Sequence, residues 1–93
     1  MNIDEIKDIA CDMGFENSIF FEDPSYQSAI IGISSNGNVC YDYDAMIDSL
    51  VKDDGMDEND AIDFVNSDTL RVLDYLNASD NGIPPVVIYK FDK

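Results

Sequence analysis

The N-terminal stretch carries apolar side chains at the spacing of a helix that is buried on one face. They recur three and four positions apart, which places them on a single stripe: Ile3, Ile6, Ile9, Ala10 and Met13. Asn2 can cap this helix and Gly14 can end it. We therefore predict a helix over residues 2–13. Three acids share its opposite, polar face: Asp4, Asp8 and Asp12.

The pattern changes to short β-branched and aromatic runs between residues 18 and 42. The sequence SIFFE at 18–22 predicts a short strand, and residues 27–34 predict a longer one. SNGN at 35–38 contains Asn-Gly, the strongest short-range signal for a hairpin. We therefore expect residues 39–42 to form a strand that returns antiparallel to 27–34.

Helical spacing returns after Asp42 and continues for most of the remaining chain. We predict a second helix over residues 43–52, capped by Asp42 or Asp44 and ended by Gly55. Its apolar face is formed by Met46, Ile47, Leu50 and Val51. Two further helices follow: the apolar face of the third is formed by Ala61, Ile62 and Val65, and that of the fourth by Leu70, Leu73 and Leu76.

Two more helices and a strand complete the prediction. Asp57 is placed to cap a third helix that runs through residue 66, and a fourth is predicted over residues 68–77. VVIYKF at 86–91 predicts a final strand.

This order of elements predicts one α+β domain that spans residues 1–93. We expect a small, mainly antiparallel sheet of three to four strands, with the helices packed on one face. A chain of this size buries about 60–65% of its unfolded surface, enough for one modest core. Two candidate homodimer interfaces are the exposed sheet face and, alternatively, apolar residues such as Phe20 and Phe21.

Charge is the property in which the chain departs most from an average protein. It has 20 acidic residues against 5 basic ones, a net charge of −15. Such a charge repels nucleic acid and anionic membranes and favours basic partners. Sixteen of the acids are Asp and four are Glu, although Glu is the better residue for a helix interior. Helix stability alone therefore does not account for the choice of acid.

No motif predicts a metal centre or a catalytic centre. The chain has no His, which removes the Ser-His-Asp and Cys-His arrangements. The residues around Gly55 and Gly82 do not fit the ligand spacing of an EF-hand loop. Cys11 lies between Asp8 and Asp12, whose charges disfavour a reactive thiolate. We expect no cofactor, no metal and no enzymatic activity.

The acids are densest in residues 42–63, which hold nine of them: Asp42, Asp44, Asp48, Asp53, Asp54, Asp57, Glu58, Asp60 and Asp63. One interpretation is a solvated face, because an acid near a helix N-terminus is favourable by roughly 0.3–1 kcal/mol.

The other interpretation is imitation of a nucleic acid. Duplex DNA carries one phosphate per ~3.4 Å along each strand, and carboxylates four residues apart on a helix are separated by about 6 Å. The short Asp side chain also loses less rotamer entropy than Glu when it is immobilised.

Residues 37–76 resemble a group of small acidic proteins from bacteria and their phages. The shared pattern is approximately YDYDxMIxxL, followed by DGM and then TxR. It is matched by Tyr41, Asp42, Tyr43, Asp44, Met46, Ile47, Leu50, Asp54, Gly55, Met56, Ala61, Phe64, Thr69 and Arg71. The resemblance implies a bacterial or phage context and contributes no site residue. In that context small, very acidic proteins are often inhibitors of host defence nucleases, including anti-CRISPR proteins and other DNA mimics.

Together these observations predict a non-enzymatic inhibitor, anti-CRISPR-like by analogy, that acts as an acidic mimic of DNA or RNA. The nine acids of 42–63 would bind its partner, a basic nucleic-acid-binding protein such as a CRISPR effector or another defence nuclease. We expect no direct contact with nucleic acid or membrane, and a cytoplasmic location in the bacterial host cell. The alternative is a small acidic interaction or regulatory module without mimicry.

The net charge predicts that salt stabilises the fold. Added ions screen the repulsion between like charges, with a Debye length near 10 Å at about 0.1 M. The free energy of unfolding should therefore rise as NaCl goes from low to moderate concentration. Urea titrations across that range test this, and a flat response would show that the charges are compensated within the fold.

Overall fold

The computed structural model describes residues 2–22, 24–77 and 82–91 of the chain. Within them the regular elements are, in order, α1 (Ile3–Asp12), β1 (Ile30–Ile33), β2 (Val39–Asp42), α2 (Tyr43–Asp53), α3 (Glu58–Phe64), α4 (Leu70–Asn77) and β3 (Val86–Ile88). A short 3₁₀ helix, Gln27–Ala29, leads into β1, and a π-helical stretch, Val65–Thr69, joins α3 to α4. The predicted α+β class is confirmed.

The sheet has three strands in the order β1-β2-β3 and is mixed, which corrects the predicted mainly antiparallel sheet of three to four strands. β1 and β2 pair antiparallel, as the hairpin predicted, whereas β2 and β3 pair parallel. Because α2, α3 and α4 lie between β2 and β3 in sequence, they form the long crossover that parallel pairing requires. The last strand is also shorter than the predicted 86–91.

The predicted strand at 18–22 is wrong. Ser18 forms only an isolated bridge to Ile83, through bonds from Ile19 N–H to the Ile83 carbonyl (2.8 Å) and from Ile83 N–H to the Asn17 carbonyl (2.9 Å). Further along, the Phe21 N–H donates to a side chain instead of a neighbouring strand. The segment therefore crosses the domain as extended chain without joining the sheet.

The hairpin turn depends on Gly37, which has a φ of +90°. A Cβ at this position would lie 2.7 Å from a ring carbon of Phe15 and 2.8 Å from Ile83, so the turn packs tightly against both. The Ser34 side chain hydrogen-bonds Asn38 across the turn. The return strand then covers residues 39–42, as predicted.

The residues predicted to cap or end the helices do so, except for Asp42. Asn2 accepts a bond from Glu5 N–H (2.9 Å), and Asp57 accepts one from Asn59 N–H (3.3 Å). Gly55 follows α2 with a φ of +69°. Asp42 occupies the N-cap position of α2, but its side chain makes no capping bond.

The third and fourth predicted helices are not separated by a break. Residues 65–69 contain no Gly or Pro, so nothing ends the helix, and the chain continues from α3 to α4 through the π-helical stretch. The continuous stretch made of α3, the π-helical stretch and α4 is called the long helix below. Thr69, near the end of this stretch, is buried.

The core lies between the sheet and the α2–α4 crossover. Its members come from β2, α2, the long helix and the irregular segment before β1: Phe21, Tyr26, Ala29, Val39, Tyr41, Met46, Leu50, Ala61 and Val65. Tyr41 and Val39 on β2 are both buried. The predicted stripe of α1 is only partly covered, because Ala10 is buried but Ile9 and Met13 are 41% and 52% exposed. Phe21 belongs to the core, which removes it from the suggested dimer interface.

Two buried tyrosine hydroxyls anchor the irregular segment 19–26. The Phe21 N–H donates to the Tyr41 hydroxyl (3.1 Å), and the Tyr26 and Thr69 hydroxyls are bonded to each other (2.6 Å). The rings of Tyr26 and Tyr41 both meet the Phe21 ring edge-on. Burial raises the pKa of Tyr41 to about 12, so this hydroxyl is protonated throughout the neutral range.

Replacing Tyr41 with Phe should destabilise the fold by about 1–3 kcal/mol, because the buried Phe21 N–H would lose its acceptor. Tyr43→Phe is the matched control, since the Tyr43 hydroxyl bonds Asn66 at the exposed surface and its loss should cost less than about 0.5 kcal/mol. Urea denaturation at neutral pH measures both. Equal losses from the two variants would contradict an anchoring role for Tyr41.

Candidate acidic binding surface

Eight of the nine acids predicted to bind a partner project from α2, α3 and the turn between them into solvent. We define the acidic surface by these exposed side chains: Asp44, Asp48, Asp53, Asp54, Asp57, Glu58, Asp60 and Asp63. Their exposure follows from the packing of the two helices, which contact each other and bury their apolar sides. Met46, Leu50 and Ala61 from these helices are fully buried in the core.

The turn between the helices concentrates the charge. Asp53 and Asp54 lie at the C-terminal end of α2, and Asp57 and Glu58 begin α3. Gly55, at a φ of +69°, reverses the chain between them. Two acidic pairs that are separate along the helices are thereby joined into one band.

Asp42 differs from the other eight acids. Its carboxylate is only 13% exposed and lies 3.7 Å from the Lys90 ammonium, just beyond β3. Its Oδ1 atom is buried and accepts no hydrogen bond from a described residue. Next to it, the Tyr43 and Tyr89 rings stack with their centroids 4.7 Å apart. The arrangement ties the start of α2 to the end of β3.

An ion pair within the described residues partly neutralises the acidic surface. Lys52 is the one basic residue among residues 42–63, and it pairs with Asp48 at 3.2 Å through side chains that are both more than half exposed. Such exposed pairs contribute little to stability. Asp53 accepts a bond from the Ser49 hydroxyl (3.2 Å), and Asp57 caps α3.

Among the described residues, no three carboxylates or thiols lie close enough together to hold a metal ion. The acidic surface is therefore a band of separate charges. Cys11 is exposed, and burial raises the pKa of Cys40.

The chain also has an apolar cavity of about 360 Å³ between α1 and β1, lined by residues that include Ile6, Ile9, Phe20 and Ile31. No side chain that lines it is ionisable, so this cavity offers no group for acid–base chemistry.

The eight acids other than Asp42 are exposed, whereas the inward position of Asp42 was not predicted. Its partner, Lys90, is 48 positions away in sequence, and the pair depends on parallel β2–β3 pairing, which was not predicted. The one local indication that Asp42 need not act as a surface acid was that Asp44 was equally suited to cap α2, which left Asp42 available for another role.

No helix in the described part of the chain is long and apolar enough to cross a membrane. Comparisons with protein-family models, with curated proteins and with solved structures found no match to this chain.

Proposed function

We propose that the protein is a non-enzymatic inhibitor that occupies the nucleic-acid channel of a basic defence protein, with its acidic surface in place of phosphates. The observation that carries the proposal is the acidic surface itself: eight exposed carboxylates on two packed helices, with Lys52 as the one basic residue in that part of the sequence. A channel that binds nucleic acid is lined with Lys and Arg, and its affinity comes from many such contacts together.

The spacing of the acids supports mimicry. Asp44 and Asp48 are four residues apart on α2, and Asp60 and Asp63 are three apart on α3. At a rise of 1.5 Å per residue these axial separations are about 6 Å and about 4.5 Å, the same order as the ~3.4 Å axial spacing of phosphates along a DNA strand but up to about twice as wide. Because core packing holds both helices in place, the backbone that carries these carboxylates loses little conformational freedom when a partner binds.

A second candidate function is a general acidic interaction module without mimicry. Asp57 caps α3 and Asp48 pairs with Lys52, so some of these acids already stabilise their own helices. This is the behaviour of a solvated face. The two candidates differ in whether binding competes with nucleic acid.

Neutralising Asp53, Asp54, Asp57, Glu58, Asp60 and Asp63 to Asn or Gln should abolish competition with nucleic acid for a candidate effector. At about 0.2–1 kcal/mol for each exposed charge pair, six lost contacts amount to about 1.2–6 kcal/mol, a loss of affinity of about eightfold or more. The fold should survive, since the six side chains are exposed and Asn caps helices as well as Asp. The measurement is displacement of a labelled nucleic acid from the effector, at several salt concentrations.

Two triple variants provide the matched comparison. Asp57, Asp60 and Asp63 belong to the acidic surface, whereas Asp4, Asp8 and Asp12 lie exposed on α1. Changing either set to Asn removes three charges, but only the first should weaken competition strongly. Equal losses from both triples, or binding that leaves the nucleic acid in place, would refute mimicry in favour of the general module.

A further inference from the structure

A groove outside the acidic surface runs between the long helix and the irregular segment 19–24. Its volume is about 420 Å³. One wall is formed by Phe64, Asp68 and Val72, which are four residues apart along the helix. The other wall includes Phe20 and Glu22.

The floor of this groove is rigid. Phe21, Tyr26 and Thr69 line it and are 7%, 2% and 5% exposed. The Tyr26–Thr69 hydroxyl bond closes the floor beneath the two walls. Tyr26 holds this place with a φ of +51°, which is rare for a bulky side chain. The groove is therefore formed before any ligand arrives.

The groove combines an apolar wall with two carboxylates, and the Lys7 ammonium lies 5.6 Å from the centroid of the Phe20 ring on the other wall. Val72 is 46% exposed there although it is apolar. Glu22 and Asp68 are both exposed, and none of the described residues that line the groove is Lys or Arg. In the described part of the chain the ion pairs within 4.0 Å are Lys52–Asp48 and Lys90–Asp42, so neither carboxylate is in one.

A second, more polar cavity adjoins the groove at Glu22, Pro24 and Tyr26 and ends at Asp53 and Asp54. Burial raises the pKa of the Tyr26 hydroxyl, and the charges of Asp54 and Asp68 raise it further. The charges of Asp54, which lines the second cavity, and Asp68, which lines the groove, thus both reach the Tyr26 hydroxyl. Negative charge therefore surrounds the groove at both ends.

We propose that this groove binds a basic side chain, arginine or lysine, presented by a partner protein. The aliphatic part of such a side chain would lie against Phe64 and Val72, while its cation would be bound by Glu22 and Asp68. A second copy of this chain is a poor occupant, because each copy has a net charge of −15. A bare metal ion is also a poor occupant, because the described acids do not converge on a point.

This site requires a basic partner but not mimicry of nucleic acid, so it is tested without any effector. The probe is a short labelled peptide in which arginines alternate with alanines, titrated against the full chain at about 0.15 M salt, with fluorescence anisotropy as the readout. A peptide with citrulline in place of arginine keeps the shape of the side chain and removes its charge.

Glu22→Gln combined with Asp68→Asn should lower the affinity for the arginine peptide about tenfold, because both charge contacts to the cation are lost. Asp4→Asn combined with Asp8→Asn removes the same charge from α1 and should change it less than twofold. Equal losses from the two pairs, or equal binding of the citrulline peptide, would overturn the proposal.

The apolar wall has its own control on the same helix. Val72→Ser removes apolar contact within the groove, whereas Tyr75→Ser removes it at a position that is 77% exposed and does not line the groove. Val72→Ser should weaken binding at least threefold, and Tyr75→Ser should leave it unchanged. Unchanged binding in Val72→Ser would show that only long-range charge attracts the peptide, and would also overturn the proposal.

Discussion

The arrangement of this small domain depends on two hydrogen bonds made by buried tyrosine hydroxyls. Residues 19–26 form neither a regular helix nor a strand of the sheet, yet Phe21 and Tyr26 belong to the core. Tyr41 on β2 binds the Phe21 N–H, and Tyr26 binds Thr69 on the long helix. The segment is thus fixed to the sheet and to the crossover at once, and the core closes without a fourth strand.

The same packing explains how the chain carries a charge of −15. The apolar sides of α2 and α3 face the sheet, so their acids face solvent, where water and salt reduce the repulsion. The cation that does reach a well-buried carboxylate is Lys90, at Asp42. The core is held by aromatic rings and hydroxyls, while some acids stabilise the fold locally: Asp57 caps α3, Asp48 pairs with Lys52 and Asp42 pairs with Lys90.

Local patterns in the sequence predicted local structure well. The Asn-Gly turn, the strand over 39–42, the start of α2 at Tyr43 and the cap at Asp57 all follow from neighbouring residues, and all are present. Features set by distant residues were missed. The parallel partner of β2, the bond between Phe21 and Tyr41, and the inward position of Asp42 each join positions that are 20 or more residues apart.

The exposure of the acids on α2 and α3 could be predicted because it follows from helix periodicity alone. The groove around Tyr26 could not, since it needs the left-handed conformation of Tyr26 and the π-helical stretch that brings Asp68 and Thr69 to the irregular segment. No sequence signal marks either feature, because Tyr rarely takes a positive φ and residues 65–69 resemble an ordinary helix.

Carboxyl footprinting tests the central claim, that the acids of α2 and α3 form the binding surface, most directly. The chain would be labelled with a carbodiimide alone and in complex with a basic nucleic-acid-binding protein, and each carboxyl would be quantified by mass spectrometry. The account predicts loss of labelling at Asp53, Asp54, Asp57, Glu58, Asp60 and Asp63, with unchanged labelling at Asp4, Asp8 and Asp12. Protection that is uniform over both sets, or confined to α1, would contradict it.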